Sequence, residues 1–157
     1  MSTNAPPVPI FLAPGAGEHL SVVGETIRVL ADGPGTRGSV LIFEEISKAG
    51  RGPPLHRHAH DDECFYILEG RYKFVCDGKE FVAEPGAFVR CPRGSTHTFA
   101  SCAPDGGTSR MLVICTPPGL EKPFRAVHNA GADASMETVT TAFAEFQIIF
   151  HGPPLTV

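Results

Sequence analysis

Apolar and polar positions alternate with a period of two over much of this chain. The alternation runs from Glu18 to Leu30 and again from Ser39 to Ile46. In the second stretch Val40, Ile42, Glu44 and Ile46 fall on one face, and Leu41, Phe43 and Glu45 on the other. Successive side chains of a strand point to opposite faces, so this pattern predicts strands. The turn-rich stretch from Ala31 to Gly38 separates the two, and a second turn cluster runs from Gly50 to Pro54. Short strands then follow at about 63–68, 71–76, 79–83, 87–91, 96–101 and 110–115. Asp77-Gly78 signals a tight hairpin, because both central positions of a type I′ turn need positive φ. Glu84-Pro85-Gly86 and Pro92-Arg93-Gly94 mark further turns. Short strands at this spacing predict an all-β sandwich or barrel. The period changes only near the C-terminus, where Met136, Val139, Phe143 and Phe146 recur at helical spacing. A helix is expected there, capped by Ser135 or Asp133 and packing its apolar face on the outside of the β core.

Composition supports the β reading. Gly (17) and Pro (15) make up about a fifth of the 157 residues, against an average near 12%. Both break helices, which excludes a helical bundle or coiled coil. The length fits one core. Residues 1–16, with Pro6, Pro7, Pro9 and Pro14, are expected to be an extended arm, 17–120 a β-barrel, and 121–157 a helix and tail packing on it. The net charge of −4, with no long Lys/Arg run, argues against a nucleic-acid partner or an anionic membrane surface. The longest apolar runs, Met111 to Cys115 and Phe146 to Phe150, are strand-sized, far short of a membrane span. The N-terminus has no basic n-region and no unbroken apolar h-region, so secretion is not expected. Five cysteines, at 64, 76, 91, 102 and 115, contain no CxxC pair and read as reduced thiols of a cytoplasmic protein.

Three of the seven histidines, His56, His58 and His60, fall together. On a strand His56 and His58 share a face and aim two imidazoles at one point. Glu63 opens the next apolar strand, with Phe65 and Ile67 on its face. His97 follows the Pro92-Arg93-Gly94 turn, with Phe99 on the same side. Two imidazoles from one strand, a carboxylate expected from its neighbour and a third imidazole expected from across the barrel make a metal site suited to Fe, Mn, Ni, Co, Cu or Zn, and the lack of thiolate argues against a closed structural zinc site. His60 is also two residues from His58, but Asp61-Asp62 reads as a loop, which places His60 at the rim or behind a ligand. His19, His128 and His151 read as surface or packing residues. Phe65, Tyr72, Phe74 and Phe99 lie on strands around the cluster and are the candidates to line an apolar cavity for a planar or hydrophobic organic substrate. Arg90 and Arg93 read as solvent-exposed.

At this point a resemblance becomes specific. Gly50-x5-His56-x-His58-x4-Glu63-x6-Gly70 fits the first motif of the cupins, and Gly86-x5-Pro92-x-Gly94-x2-His97 fits the second, with Ser101 in place of its final Asn. The run from Gly52 to Gly70, the Thr116 to Glu121 stretch and the terminal Gly-Pro-Pro-Leu resemble single-domain, quercetin-dioxygenase-like bacterial cupins. The resemblance implies a cupin-type double-stranded β-helix, a jelly-roll barrel, here with a short C-terminal helix. It implies one divalent transition metal ion held by His56, His58, Glu63 and His97. The activity implied is a dioxygenase that uses O2 on a small aromatic or enolisable substrate, with Glu63 as the catalytic base. It also implies a homodimer, with the Pro-rich arm reaching across. Two alternatives stay open: a metal-dependent isomerase, lyase or decarboxylase working without O2, and a non-enzymatic small-molecule-binding cupin. The residues leave the metal and the substrate unassigned.

Overall fold

The computed structural model describes residues 8–157; the first seven residues of the expected arm lie outside them. The chain forms β1 (Glu18–Val22), β2 (Glu25–Ala31), β3 (Leu41–Lys48), β4 (Pro54–His58), β5 (Asp62–Glu69), β6 (Tyr72–Cys76), β7 (Lys79–Ala83), β8 (Phe88–Cys91), β9 (Thr96–Ser101) and β10 (Thr108–Thr116). Two helices follow, α1 (Glu121–Ala130) and α2 (Met136–Ala144), and then a last strand, β11 (Ile148–Pro154). The strands form two antiparallel sheets, in the orders β1-β2-β3-β10-β5-β8 and β11-β4-β9-β6-β7. This is the mostly β architecture that the alternation predicts, in the two-sheet jelly-roll form that the resemblance implies.

The registers stack the inward residues in rows across the first sheet. Leu41, Cys115, Glu63 and Cys91 form one row, and Phe43, Val113, Phe65 and Val89 the next. All are buried, so a one-residue slip of any strand would turn its apolar set to solvent. The Asp77-Gly78 hairpin has φ of 46° and 78°, as a type I′ turn requires. Ser101 is fully buried, and its hydroxyl lies 2.8 Å from that of Ser109. Ser109 in turn accepts from the Arg71 N–H at 3.0 Å and donates to the Arg71 carbonyl at 2.8 Å, tying down the β5–β6 turn.

The C-terminal segment departs from expectation. It holds two helices and a strand. α2 begins where predicted, with the Ser135 hydroxyl accepting from the Thr138 N–H, but Phe146 lies beyond its end. α1 carries a short apolar stripe, Leu120, Phe124 and Val127, and has Pro123 in its first turn. Proline is tolerated there because first-turn N–H groups have no intrahelical partner. Glu121 fastens the helix start, accepting from Gly33 N–H at 3.0 Å and Gly119 N–H at 2.9 Å. The Phe-rich run then enters β11, which pairs along the edge of β4 with Phe150 opposite His56 and Ile148 opposite His58. Its prolines sit on an edge strand, where a missing donor costs least. The helices do not simply cover the outside of the barrel. Phe124 meets Phe43 edge-on at 5.2 Å, and Phe143 meets Phe124 at 6.0 Å and Phe150 at 5.6 Å, so helical side chains close the barrel interior.

Gly70 has φ of +69°, and a Cβ there would lie 2.8 Å from the Ser109 backbone. Gly70→Ala combines backbone strain with this clash, and we expect it to destabilise the protein by about 3 kcal/mol. A urea titration followed by circular dichroism measures the loss.

Candidate metal centre

β4 and β9 lie side by side with His56 directly opposite His97, and the alternation of β4 places His58 on the same inner face. The expected placing is reversed: His97 comes from the strand beside β4, and Glu63 faces the imidazoles from β5 in the other sheet, because β4 and β5 are joined by a loop that crosses between the sheets. The ligand atoms of these four residues lie within 4.8 Å of one another. The residues are 1–5% exposed, so the cluster is enclosed. The His56 Nδ1–H donates to the Pro54 carbonyl at 2.7 Å, and the His58 Nδ1–H donates to Asp61 Oδ2 at 2.7 Å. Each bond fixes the ring and leaves Nε2 as the free donor atom, the usual arrangement behind a ligating histidine. His58 Nε2 is 3.4 Å from Glu63 Oε2, and His97 Nε2 donates to the same oxygen at 2.9 Å. The Cys115 thiol lies 3.9 Å from Glu63 Oε1.

The electrostatics favour the metal-binding forms of Glu63 and His56. Burial pushes the Glu63 carboxyl up, but the facing His58 and His97 outweigh it and hold it at about 2. Burial, together with the charges of His97 and His58, lowers His56 to about 3 and keeps it neutral. Burial also works to lower His58, yet the Glu63 and Asp61 carboxylates raise it above its ordinary value. Three imidazoles and a carboxylate, with two ring tautomers already set, fit a divalent transition metal. The donor set leaves its identity unassigned.

The cluster opens into a cavity of about 360 Å³ whose wall includes His56, His58 and Glu63. Of the four aromatic residues expected on that wall, only Phe99 is there. Phe65, Tyr72 and Phe74 are fully buried and pack around Phe99 at ring distances of 5.4, 5.9 and 5.5 Å. Their inward faces meet between the sheets, which leaves them no surface on the cavity. Phe43, Phe124, Phe143 and Phe150 supply the rest of its aromatic lining. Two acids, Glu25 and Glu45, also reach the wall. The sequence carried a sign of Glu45, a carboxylate sharing a strand face with Leu41 and Phe43. His60 sits apart from the cluster with Nε2 2.6 Å from Gln147 Oε1, and His151 is exposed on β11. His19 lies 3.0 Å from the Gly15 carbonyl, and His128 Nδ1 accepts from the Ser21 N–H. Arg90 and Arg93 are exposed and both bind Asp62, at 3.0 Å.

Comparison with known proteins agrees with this fold and site. The Cupin domain family matches residues 43–115, a span that contains all four clustered residues. Over that span, a little under half of its length, the chain resembles a cupin domain. Among curated proteins it is 29% identical over 117 residues to quercetin 2,3-dioxygenase of Bacillus subtilis, which covers 74% of this chain and 34% of that protein. It is 32% identical over 100 residues to oxidoreductase OpS7 of Beauveria bassiana, covering 59% of this chain and 33% of that one. The chain thus spans about a third of the length of these two relatives. Among solved structures, KdgF from Halomonas sp. superposes with a TM-score of 0.62 at 16% identity, over 73% of this chain and 97% of that one. An RmlC-like cupin from Shewanella frigidimarina gives 0.60 at 17%, over 71% and 93%. These structural likenesses speak for the fold alone.

Asp61 is the residue behind the cluster that is most open to test. Asp61→Ala removes the acceptor that sets the His58 tautomer, and we expect divalent-metal affinity to fall about 10–100-fold with the fold retained. Competition against a chromogenic chelator measures it.

Proposed function

We propose that this chain is a metal-dependent, quercetinase-like dioxygenase that acts with O2 on a small aromatic or enolisable organic substrate. The observation that carries the reading is a buried three-histidine, one-glutamate cluster opening onto an apolar, aromatic-lined cavity. The likeness to a quercetin dioxygenase supports it. His56, His58, Glu63 and His97 would hold the ion, one of Fe, Mn, Ni, Co, Cu or Zn. Bound there, the ion would supply Lewis acidity and a template for orienting substrate oxygen.

The side chains account for the remaining steps. Glu63 stays ionised among the imidazoles, so it is ready to accept the proton of a substrate hydroxyl. Phe43, Phe99, Phe124 and Phe143 hold a flat apolar body and exclude water around it. The hydrogen bonds from His56 to Pro54 and from His58 to Asp61 keep both rings from turning during the reaction.

The free thiols fit a reducing, cytoplasmic setting. Among the described residues no helix is long and apolar enough to cross a membrane. The ligand is a small molecule, with no nucleic-acid or membrane partner. The exposed apolar residues Val8, Ile10 and Phe11 of the N-terminal arm support a homodimer in which the arm packs on a second copy.

The test is O2 consumption by the metal-loaded protein with flavonols and other enolisable aromatics. We expect uptake that matches substrate loss, and a fall of about 100-fold or more for Glu63→Gln. Turnover of such a compound under strict anaerobiosis would move the assignment to an isomerase, lyase or decarboxylase. Tight retention of a compound with no chemical change would mark a binding cupin.

A further inference from the structure

We propose that Glu25 and Glu45 form a second, polar subsite of the cavity, which takes a neutral hydroxyl group on the far part of a ligand whose near end meets the metal cluster. This rests on the metal-centred reading above and narrows the ligand to an apolar body with polar groups at both ends. The inward face of β3 runs Leu41, Phe43, Glu45, Ser47. Leu41 stands in the row of Glu63, whereas Glu45 stands four residues along, between Ile27 and Met111. An apolar residue would pack there without penalty. Instead Glu45 and Glu25 both reach the cavity wall. Among the described residues Glu25 Oε2, on the cavity wall, is buried without a hydrogen-bond partner; the Ser47 and Tyr72 hydroxyls are likewise unpartnered but lie off the wall. Ser47 and Tyr72 have no measurable exposure. Polar atoms left unmet in an interior are costly, and a ligand group that meets them recovers that cost.

The same surroundings select the group. Burial, then the charges of Glu25 and Glu63, push the Glu45 carboxyl well above its usual range, and burial raises Glu25 as well. A carboxyl that keeps its proton both donates and accepts, as a hydroxyl does. Arg51 shares the wall and disfavours an ammonium group.

The probes are 4-(3-hydroxypropyl)catechol and 4-butylcatechol, which differ only by OH for CH3 at the tail. Each is titrated calorimetrically into zinc-loaded and zinc-free protein. We expect the hydroxyl probe to bind about tenfold tighter than the methyl probe. Glu45→Leu should level the two, and Glu25→Gln and Glu45→Gln should narrow the gap. Equal or tighter binding of 4-butylcatechol to the wild-type chain overturns the subsite. The ratio between probes reads the subsite, and their common dependence on zinc reads the metal centre, so the two failures are distinguishable. If neither probe binds, the melting temperature of Glu45→Leu decides. A rise shows a polar group kept against stability and supports the proposal; an unchanged or lower value makes Glu45 structural and overturns it.

Independently of the cavity, we propose that Cys76 and Cys91 are a dithiol that a peroxide oxidises to a disulfide between the two sheets. Their sulfur atoms lie 3.3 Å apart, at the ends of β6 and β8. Cys76 is half-buried, which gives a small oxidant access. In the strand ladders Cys76 stands opposite His97 and Cys91 opposite Glu63, so the bond would join the strands that flank those carrying two of the clustered residues. Both thiols lose their hydrogens, the S–S bond forms, the peroxide O–O bond breaks and two waters leave. Treated with one equivalent of hydrogen peroxide, the protein should lose the mass of two hydrogens and yield a peptide joining Cys76 to Cys91, reversibly with dithiothreitol. Cys76→Ser should abolish the link. A link elsewhere, or overoxidation without a link, overturns the assignment.

Discussion

Glu63 places an ionised carboxylate in a row with Leu41, Cys115 and Cys91, in an interior that strongly disfavours a lone charge. Three imidazoles make that burial tolerable, and their positions are dictated by the strand pairings. His56 and His97 face each other because β4 and β9 are neighbours in register, and His58 joins them through the two-residue repeat of β4. Glu63 comes from the opposite sheet, so the cluster bridges the two sheets. The balance of burial against His58 and His97 keeps Glu63 ionised. Movement of either sheet would leave a buried carboxylate or a buried histidine without its counterpart, and removing one partner of such a set is strongly destabilising.

This dependence explains what was legible in the sequence. The turns are read from Gly and Pro, because positive φ and a missing donor are local properties of a residue. The strands are read from a period of two, and that period also fixes which histidines share a face. Four ligand residues therefore emerge from spacing together with the resemblance to the two cupin motifs, in which Gly70, Gly86 and Gly94 mark turns. The cavity wall does not emerge in the same way. Phe65, Tyr72 and Phe74 have the same pattern as Phe99, yet only Phe99 reaches the cavity, since which inward ring meets a void depends on how the two sheets pack. Phe124 was hidden in a helix whose three-residue apolar stripe is too short to stand out and whose Pro123 reads as a breaker. Phe146 and Phe150 belong to one apolar run, and no local rule says that the helix ends before it and that β11 begins within it.

The C-terminal segment matters more to the site than its distance in sequence suggests. β11 covers the open edge of β4, the strand that carries His56 and His58, with Phe150 and Ile148 opposite them. An unpaired edge there would expose the backbone groups of the ligand-bearing strand. α1 and α2 bring Phe124 and Phe143 against Phe43 and Phe150, turning an open barrel mouth into an apolar wall. The terminal Gly-Pro-Pro, which composition alone left without a role, ends this edge strand.

Two carboxyl groups thus line one cavity with their proton affinities driven apart. Burial acts on Glu63 and Glu45 alike; their partners differ. Glu63 faces imidazoles that stabilise its charge, whereas Glu45 faces Glu25 and feels Glu63, which add to the effect of burial. Between their two ranges Glu63 is an acceptor and Glu45 retains its proton. Opposed environments of this kind are how a single site holds a base and a hydrogen-bond donor at the same pH. Because the Glu63 charge itself raises Glu45, a cation held at the cluster would screen that charge and relax Glu45 toward its ordinary range.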